Sequence, residues 1–313
     1  MATRTRLYWG GASTGPAPKA CLIANPAAGP SHAKPDWGLV TRTLREAGWW
    51  VSLQGTTGPG SAGILARDAV RDGCKLVVVA GGDGTINEAI QPLAGSDVVL
   101  GLIPVGTANI LARELKIPLD PLAAARALVH GHPRPVDLGL VTGRSQPGRY
   151  FCEMVGIGFD AAAVGGVPPI MKTALGKGAY VFSAVTTSFT HRPSRMRLVV
   201  DGRRSRRLSF MLTICNTGLY GADFLKITPD ATVDDGLLDA AIFRGQTVLS
   251  AWWEFLAIAA RRLKEWTDVE FLTCRRIEVR TARPVPIQID GDPAGTTPVT
   301  VEIVPKAIKV MVP

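Results

Sequence analysis

No stretch of the sequence reaches the roughly 18–20 consecutive apolar residues that a helix needs to cross a bilayer, so a membrane-spanning anchor is not expected. Cysteine is sparse: Cys21, Cys74, Cys152, Cys215 and Cys274 lie far apart with no C-x-x-C pair. An odd, scattered set argues against a disulfide frame or a zinc site, and for reduced core thiols in the cytoplasm. The four histidines offer one close pair, His130 and His132, and carry little expectation of a metal site. Residues 1–19 hold a Gly/Ser/Thr/Pro-rich stretch without the apolar core of a signal peptide, and are expected to form a flexible tail. There is no internal repeat. Acidic residues are the scarcer charge, 26 Asp and Glu against 35 Lys and Arg, for a net charge of +9. That excess favours an anionic partner, whether nucleic acid, acidic membrane or phosphorylated ligand, without choosing among them.

What is present is the composition of a folded chain with a sizeable core: 46% hydrophobic and 19% charged residues over 313 positions, enough for two modest domains. The chain is organised around Val77, Val78 and Val79 followed by Ala80-Gly81-Gly82-Asp83-Gly84-Thr85-Ile86-Asn87-Glu88. The β-branched run reads as a strand buried on both faces. Ile86, Ala89, Ile90 and Leu93 follow at helical spacing, which predicts a helix opened by Thr85 or Asn87. Strand, glycine turn and helix start aim backbone N–H groups and a positive dipole end at one point, a setting for phosphate. Asp83 is the odd residue there, since a carboxylate beside phosphate calls for a cation such as Mg²⁺. A solvated Asp in an ordinary βα turn accounts for the turn equally well.

Around this centre the spacing predicts strands over 20–24, 49–53 and 98–103, and helices over 39–47 and 61–71. A further helix opens at Asp120-Pro121, the favoured pair at a helix start, and ends near Gly131. Alternating strands and helices mean a parallel, helix-covered sheet. The polar loops at Asn25, Asp83 and Thr107–Asn109 should then gather at its carboxyl edge. After Pro135 the pattern changes to short runs parted by Gly, Pro, Asp and Asn. These are 136–141, 150–155, 195–200, 208–215, 237–243, 269–279, 285–289, 299–303 and 308–312. They predict a mostly antiparallel, sandwich-like second domain with a hairpin at Asp201-Gly202. Helical stretches interrupt it at 178–190 and 247–266; the second reads as core packing in preference to a membrane anchor. Seven arginines fall between His191 and Arg207, with Asp201 the only acid. They are solvated strand faces or a dock for anionic headgroups, and the lack of interleaved aromatics argues against nucleic acid.

Six segments in order carry a resemblance. They are Asn25-Pro26-Ala27-Ala28-Gly29, Gly81-Gly82-Asp83-Gly84-Thr85, Pro104-Val105-Gly106-Thr107-Ala108-Asn109, Gly156-Ile157-Gly158-Phe159-Asp160, the stretch from Pro229 to Gly236, and Asp290-Gly291-Asp292. From about Cys21 to Pro313 the chain resembles the diacylglycerol kinase catalytic-domain family. That family takes in soluble bacterial diacylglycerol kinases, YegS-like lipid kinases, and sphingosine and ceramide kinases. The resemblance implies an α/β nucleotide-binding domain over 20–135, to which a last strand at about 306–313 returns, and a β-rich lipid-binding domain over 136–305. It implies an ATP- and Mg²⁺-dependent kinase that transfers the γ-phosphate to a lipid hydroxyl. By the same resemblance Asn25, the segment Gly81, Gly82, Asp83, Gly84, Thr85, Ile86 and Asn87, and also Thr56, Gly106, Thr107 and Asn109, would bind nucleotide. Asp83 would help hold the catalytic Mg²⁺. Asp235, with the carbonyls of Thr232 and Leu237, would hold a structural metal. The general base falls on Asp292, and Asp290 could share the role.

Three departures bear on activity: Ala28 stands for Ser, Ile110 follows Asn109 where many members have Asp, and Asp292 stands for Glu. An NAD kinase, which shares the Gly-Gly-Asp-Gly-Thr turn, and a non-catalytic lipid-binding relative are the alternatives. The expected partner is a lipid substrate in an anionic membrane surface, met peripherally at the inner face from the cytoplasm, with no nucleic acid. A homodimer stays open as the assembly.

Overall fold

Val77, Val78 and Val79 are fully buried, as a strand covered by helices on both faces must be. The structure, a computed structural model, describes residues 16–29, 35–144, 146–165, 192–220, 222–244 and 268–313. The helices expected at 178–190 and 247–266 lie outside the described residues. The chain divides into two compact units, 1–136 with 306–313, and 137–305. Among the described residues no helix is long and apolar enough to cross a membrane.

The first unit contains β1 (Lys19–Ala24), α1 (Trp37–Glu46), β2 (Trp50–Gly55), α2 (Ser61–Arg71), β3 (Leu76–Gly81), α3 (Asp83–Leu93), β4 (Val99–Pro104), α4 (Ile110–Glu114) and α5 (Pro121–His130). The strands lie in the order β2-β1-β3-β4, all parallel. Near the C-terminus, Lys309 and Val310 pair in parallel with Val99 and Leu100 of β4. Asp36 and Asp120 cap α1 and α5 by accepting the N–H groups of Leu39 and Ala123. Helix α3 begins earlier than the periodicity predicts. The extended backbone of Gly82 lets Asp83 start the helix directly after β3, with Ile86 N–H already donating to the Gly82 carbonyl.

Strand β5 (His132–Gly143) begins in the first unit and runs into the second, which continues with β6 (Gln146–Phe151), β7 (Met154–Gly158), α6 (Phe159–Gly165), β8 (Ser194–Val200), β9 (Arg203–Ser209), β10 (Met211–Cys215), β11 (Leu219–Tyr220) and β12 (Ala222–Lys226). Then come β13 (Leu238–Phe243), β14 (Val269–Cys274), β15 (Arg276–Thr281), β16 (Pro286–Ile289), β17 (Asp292–Thr296) and β18 (Val299–Val312), whose last residues belong to the first unit. One antiparallel sheet runs β14-β13-β10-β7-β16-β17. A second runs β18-β15-β8-β9, with β5 on β18 and β6 on β5. Val155, Ile157, Leu212, Ile214 and Ile242 of one sheet share a buried cluster with Met196, Leu198, Ile277, Val279 and Val301 of the other. The fold is thus an α/β domain followed by an antiparallel sandwich, the class the sequence implies.

Three runs that read as single strands are each two. The run 150–155 breaks at Cys152 and Glu153, whose N–H groups donate to the carboxylate of Asp290. The run 269–279 breaks at Arg275, where the N–H groups of Arg275 and Arg276 donate to the carboxylate of Asp201. The run 208–215 breaks at Phe210, which donates to the Phe243 carbonyl and stacks on Phe159. Conversely, 299–303 and 308–312 form one strand, β18, with the irregularity taken up at Lys306, whose φ is 52°.

The sandwich is braced at one edge by Glu270, which binds Arg207 through both carboxylate oxygens at 2.8 Å and also bonds Arg244. These partners, Arg207 foremost, hold its pKa at about 2, below the ordinary 4.5, while burial opposes them. A depressed carboxylate contributes stability in full above its unfolded pKa and loses it as pH falls toward the folded value. Glu270→Gln is therefore expected to cost on the order of 1–2 kcal/mol at neutral pH, discounted for solvent screening, and to flatten the stability loss between pH 4.5 and about 2. Denaturant titrations of both proteins across that window check it. Parallel acid profiles would remove the role.

Candidate functional site

In the order β2-β1-β3-β4, the chain leaves β1 for β2 on one side and reaches β3 on the other, so the sheet's switch point lies between β1 and β3. Ligands of open α/β sheets sit outside the carboxyl ends of the strands at such a point. Asn25 follows β1 and Gly82 follows β3. Asn25 N–H donates to the Ala80 carbonyl, and its side-chain amide donates to Thr85 Oγ1 at 2.9 Å. Thr56, after β2, donates its N–H to Ala24. The loop after β4 comes so close to the glycine turn that a Cβ on Gly106 would stand 2.5 Å from the Cα of Gly82. That approach requires glycine. Asn109 pins the same loop from both sides, its Oδ1 accepting from Gly106 N–H and its Nδ2 donating to the Gly106 carbonyl.

The predicted nucleotide residues divide into two groups. Gly82, Asp83, Gly84, Gly106 and Thr107 lie wholly or partly at the surface of these loops, while Thr85, Ile86, Asn87 and Asn109 are buried behind them and hold their shape. In the first turn of α3 the Thr85 N–H donates to the Gly82 carbonyl, while the N–H groups of Asp83 and Gly84 precede the first acceptor of the helix and can serve an anion. Asp83 turns its charge elsewhere. Its two carboxylate oxygens accept from Asn109 N–H at 2.9 Å and Ile110 N–H at 2.8 Å, so it caps the start of α4. Ile110, which stands where many members of the resembled family have Asp, keeps its side chain buried and offers only that N–H. An ionised carboxylate has about four lone-pair sites, so these two bonds leave capacity for a cation. A single acid fits Mg²⁺ when phosphates supply further ligands.

In the second unit, Asp290 and Gly291 form a two-residue turn between β16 and β17, with Ile289 facing Asp292. Their φ values of 46° and 80° are the positive pair that a type I′ hairpin demands. The two acids of this hairpin differ in kind. Asp290 is 8% exposed, and its carboxylate accepts from the N–H groups of Cys152, Glu153 and Met154 at 2.9–3.0 Å. Its carboxylate is thus taken up in holding the β6–β7 backbone. The Asp292 side chain is 54% exposed and pairs with Arg149 at 2.8 Å. Gln288 ties the turn inward: its Oε1 accepts from Gly291 N–H, and its Nε2 donates to Asp160 at 2.7 Å. Gly156 makes room for that carboxylate, since a Cβ there would stand 1.8 Å from Asp160 Oδ2.

At the third predicted site Thr232 and Asp235 are exposed and Leu237 is half-buried. Asp235 Oδ1 accepts from Leu237 N–H in a local turn. Buried Asp137 shapes the same loop, donating its N–H to the Val233 carbonyl and accepting Gly236 N–H at 2.7 Å. Among the described residues no three His, Cys, Asp or Glu side chains converge as ligands. A hard cation here would rest on one carboxylate and backbone carbonyls, a donor set of the right oxygen chemistry.

Sequence reasoning missed the residues that hold these sites in shape. Glu88, which accepts from Gly60 and Ala62 N–H and so anchors the start of α2, was visible only as the end of the glycine motif. Asp137 and Gln288 could have been found as polar residues inside otherwise apolar strand runs. Arg149 gave no signal.

A family model described as the diacylglycerol kinase catalytic domain matches residues 19–141, and one described as the YegS C-terminal NAD kinase beta sandwich-like domain matches 153–312. A diacylglycerol kinase of Bacillus subtilis is 31% identical over 289 residues, covering 90% of this chain and 91% of its own. A probable lipid kinase YegS-like protein of Chromohalobacter salexigens is 31% identical over 277 residues, covering 87% and 86%. Among solved structures, a diacylglycerol kinase from Bacillus anthracis superposes with a TM-score of 0.76 at 23% identity, over 94% of this chain and 97% of that one.

Proposed function

The chain belongs to the diacylglycerol kinase family, and from that premise we propose that it is an ATP- and Mg²⁺-dependent lipid kinase acting on the hydroxyl of diacylglycerol or a related lipid. The observation that carries this reading is the meeting of the loops after β1, β3 and β4 around the Gly82–Gly106 approach, at the switch point of the parallel sheet.

Phosphoryl transfer asks a protein mainly for position and charge. The N–H groups opening α3 take the phosphates, with Thr56, Thr107 and the Asn25 loop beside them. Asp83 holds Mg²⁺, which when bound neutralises charge on the phosphates. Asp292 accepts the proton of the lipid hydroxyl as that oxygen bonds to the γ-phosphorus and the bond to ADP breaks. Asp290 holds the β6–β7 break and, through it, the hairpin that presents Asp292. A second cation, at Asp235 with the carbonyls of Thr232 and Leu237, is a structural part of the same proposal.

The test is purified protein with labelled ATP and Mg²⁺ against diacylglycerol, phosphatidylglycerol, a sphingoid base and NAD. The expected result is a labelled lipid and no labelled NADP. Label only in NADP would make it an NAD kinase. No label in any acceptor under Mg²⁺ would leave a non-catalytic relative.

A further inference from the structure

The seven arginines of the 191–207 run do not form one patch, because strands send successive side chains to opposite faces. Met196 and Leu198 of β8 enter the core, so Arg195 and Arg197 point outward and are exposed. Cross-strand register places Arg206 opposite Arg197, Arg204 opposite Val199 and exposed Leu208 opposite Arg195. On the next strand Arg280 faces Arg197. Arg206, Arg197 and Arg280 thus stand in one row across β9, β8 and β15. The remaining arginines of the run lie elsewhere: Arg207 is held by Glu270, Arg203 falls on the other side of the hairpin, and Arg192 precedes β8.

Like charges directly opposite one another destabilise a sheet. Among the described residues Arg195, Arg197, Arg204 and Arg206 have no carboxylate within ion-pair distance, while Glu278 and Glu302 answer only Arg276 and Arg280. Among the described residues the face therefore carries an uncompensated excess of four positive charges. It is the side of a sheet and not a cleft, so its guanidinium groups are spread over three strands about 4.8 Å apart instead of converging on one phosphate. Among the described residues of β8, β9 and β15 it has no aromatic ring on which a base could stack.

We propose that this face of β9, β8 and β15 docks the protein on an anionic bilayer, with Arg195, Arg197, Arg204 and Arg206 facing lipid phosphates and Leu208 meeting the interface between them. The proposal deepens the lipid-kinase reading, since it names the surface through which a kinase would meet a bilayer substrate. Its test does not need ATP.

Binding is measured by co-sedimentation with vesicles of phosphatidylcholine and phosphatidylglycerol, and with phosphatidylcholine alone. Wild-type protein is expected to bind the mixed vesicles, prefer them to neutral ones, and be released by salt. At about fivefold per basic residue near the surface, R195Q/R197Q/R204Q/R206Q should lose on the order of 10²-fold or more. R192Q/R203Q removes equal charge per substitution from off the face and should bind as wild type. R204Q/R206Q, confined to edge strand β9, keeps the test valid if the fourfold variant does not fold, and should lose about 20-fold. The proposal is overturned if the fourfold variant binds as wild type, or if R192Q/R203Q loses as much as R204Q/R206Q. It is also overturned if the face binds single-stranded RNA while vesicle binding is unchanged by the substitutions. Phosphorylation of a short-chain lipid in detergent micelles, measured alongside, reports on the kinase reading separately.

Discussion

Asp292→Asn is expected to lower kcat for lipid phosphorylation by about 10²–10⁴-fold with the KM for ATP little changed. The side chain is nearly isosteric and lies at the surface of the β16–β17 hairpin, so the fold should be untouched. Its pairing with Arg149 is a single ion pair at a half-exposed position, worth about 1 kcal/mol or less. What the variant lacks is the capacity to take a proton. Asp290→Asn makes the informative contrast. Its amide would set an N–H₂ group against at least one of three backbone donors, so it should lower Tm, with kcat per folded molecule kept. Asp292→Glu, one methylene longer, should retain or raise activity. If the activity losses of the two Asn variants are exchanged, the base is Asp290. If neither changes kcat in a protein that phosphorylates lipid, the proton leaves by another route.

Asp83→Asn is expected to remove most turnover, on the order of 10²-fold or more, because the one carboxylate among the phosphate-binding loops is lost as a cation ligand. It should also cost about 1–2 kcal/mol of stability. Asn109 and Ile110 both donate N–H groups to this side chain, and an amide can accept from one side while opposing the other. The two effects separate by measurement. Turnover per folded molecule reports the cation role, and the midpoint of denaturant unfolding reports the cap on α4. Wild-type turnover at saturating Mg²⁺ with a lowered midpoint would reduce Asp83 to a capping residue.

The parallel half was legible because its signals are local. Apolar runs, glycine turns and the caps Asp36 and Asp120 act within a few residues, and the strand-loop order alone brought Asn25, Asp83 and Thr107 to one sheet edge. Asp83 itself stood out as a misplaced charge, but its partners lie 26 and 27 residues away, and nothing nearby announces them. The β-rich half was legible in class and not in strand count. Cys152, Phe210 and Arg275 are ordinary strand residues, with no Gly or Pro to mark an end. Each run stops there because a distant group takes its N–H. The same distance hid the division of labour between Asp290 and Asp292, which the sequence shows only as two acids flanking a glycine.

The carboxylates of Asp201 and Asp290, each on an Asp-Gly turn with positive φ, have a bearing on how the sandwich assembles. Asp201 closes on residues 74 and 75 positions later, and Asp290 on residues 136–138 positions earlier. The hairpins that carry them can form locally, on a timescale of about 1–10 μs. The strand ends they define cannot form until long stretches of chain have closed, and such non-local closure is what makes β-rich domains slow to fold. Until Asp290 docks, the stretch from β6 to β7 has no fixed end and can pair out of register, which would turn its core side chains outward. The acid proposed to take the substrate's proton therefore stands on a hairpin seated against backbone 136–138 positions earlier, and a chain that has not made that closure carries every residue of the site without the site.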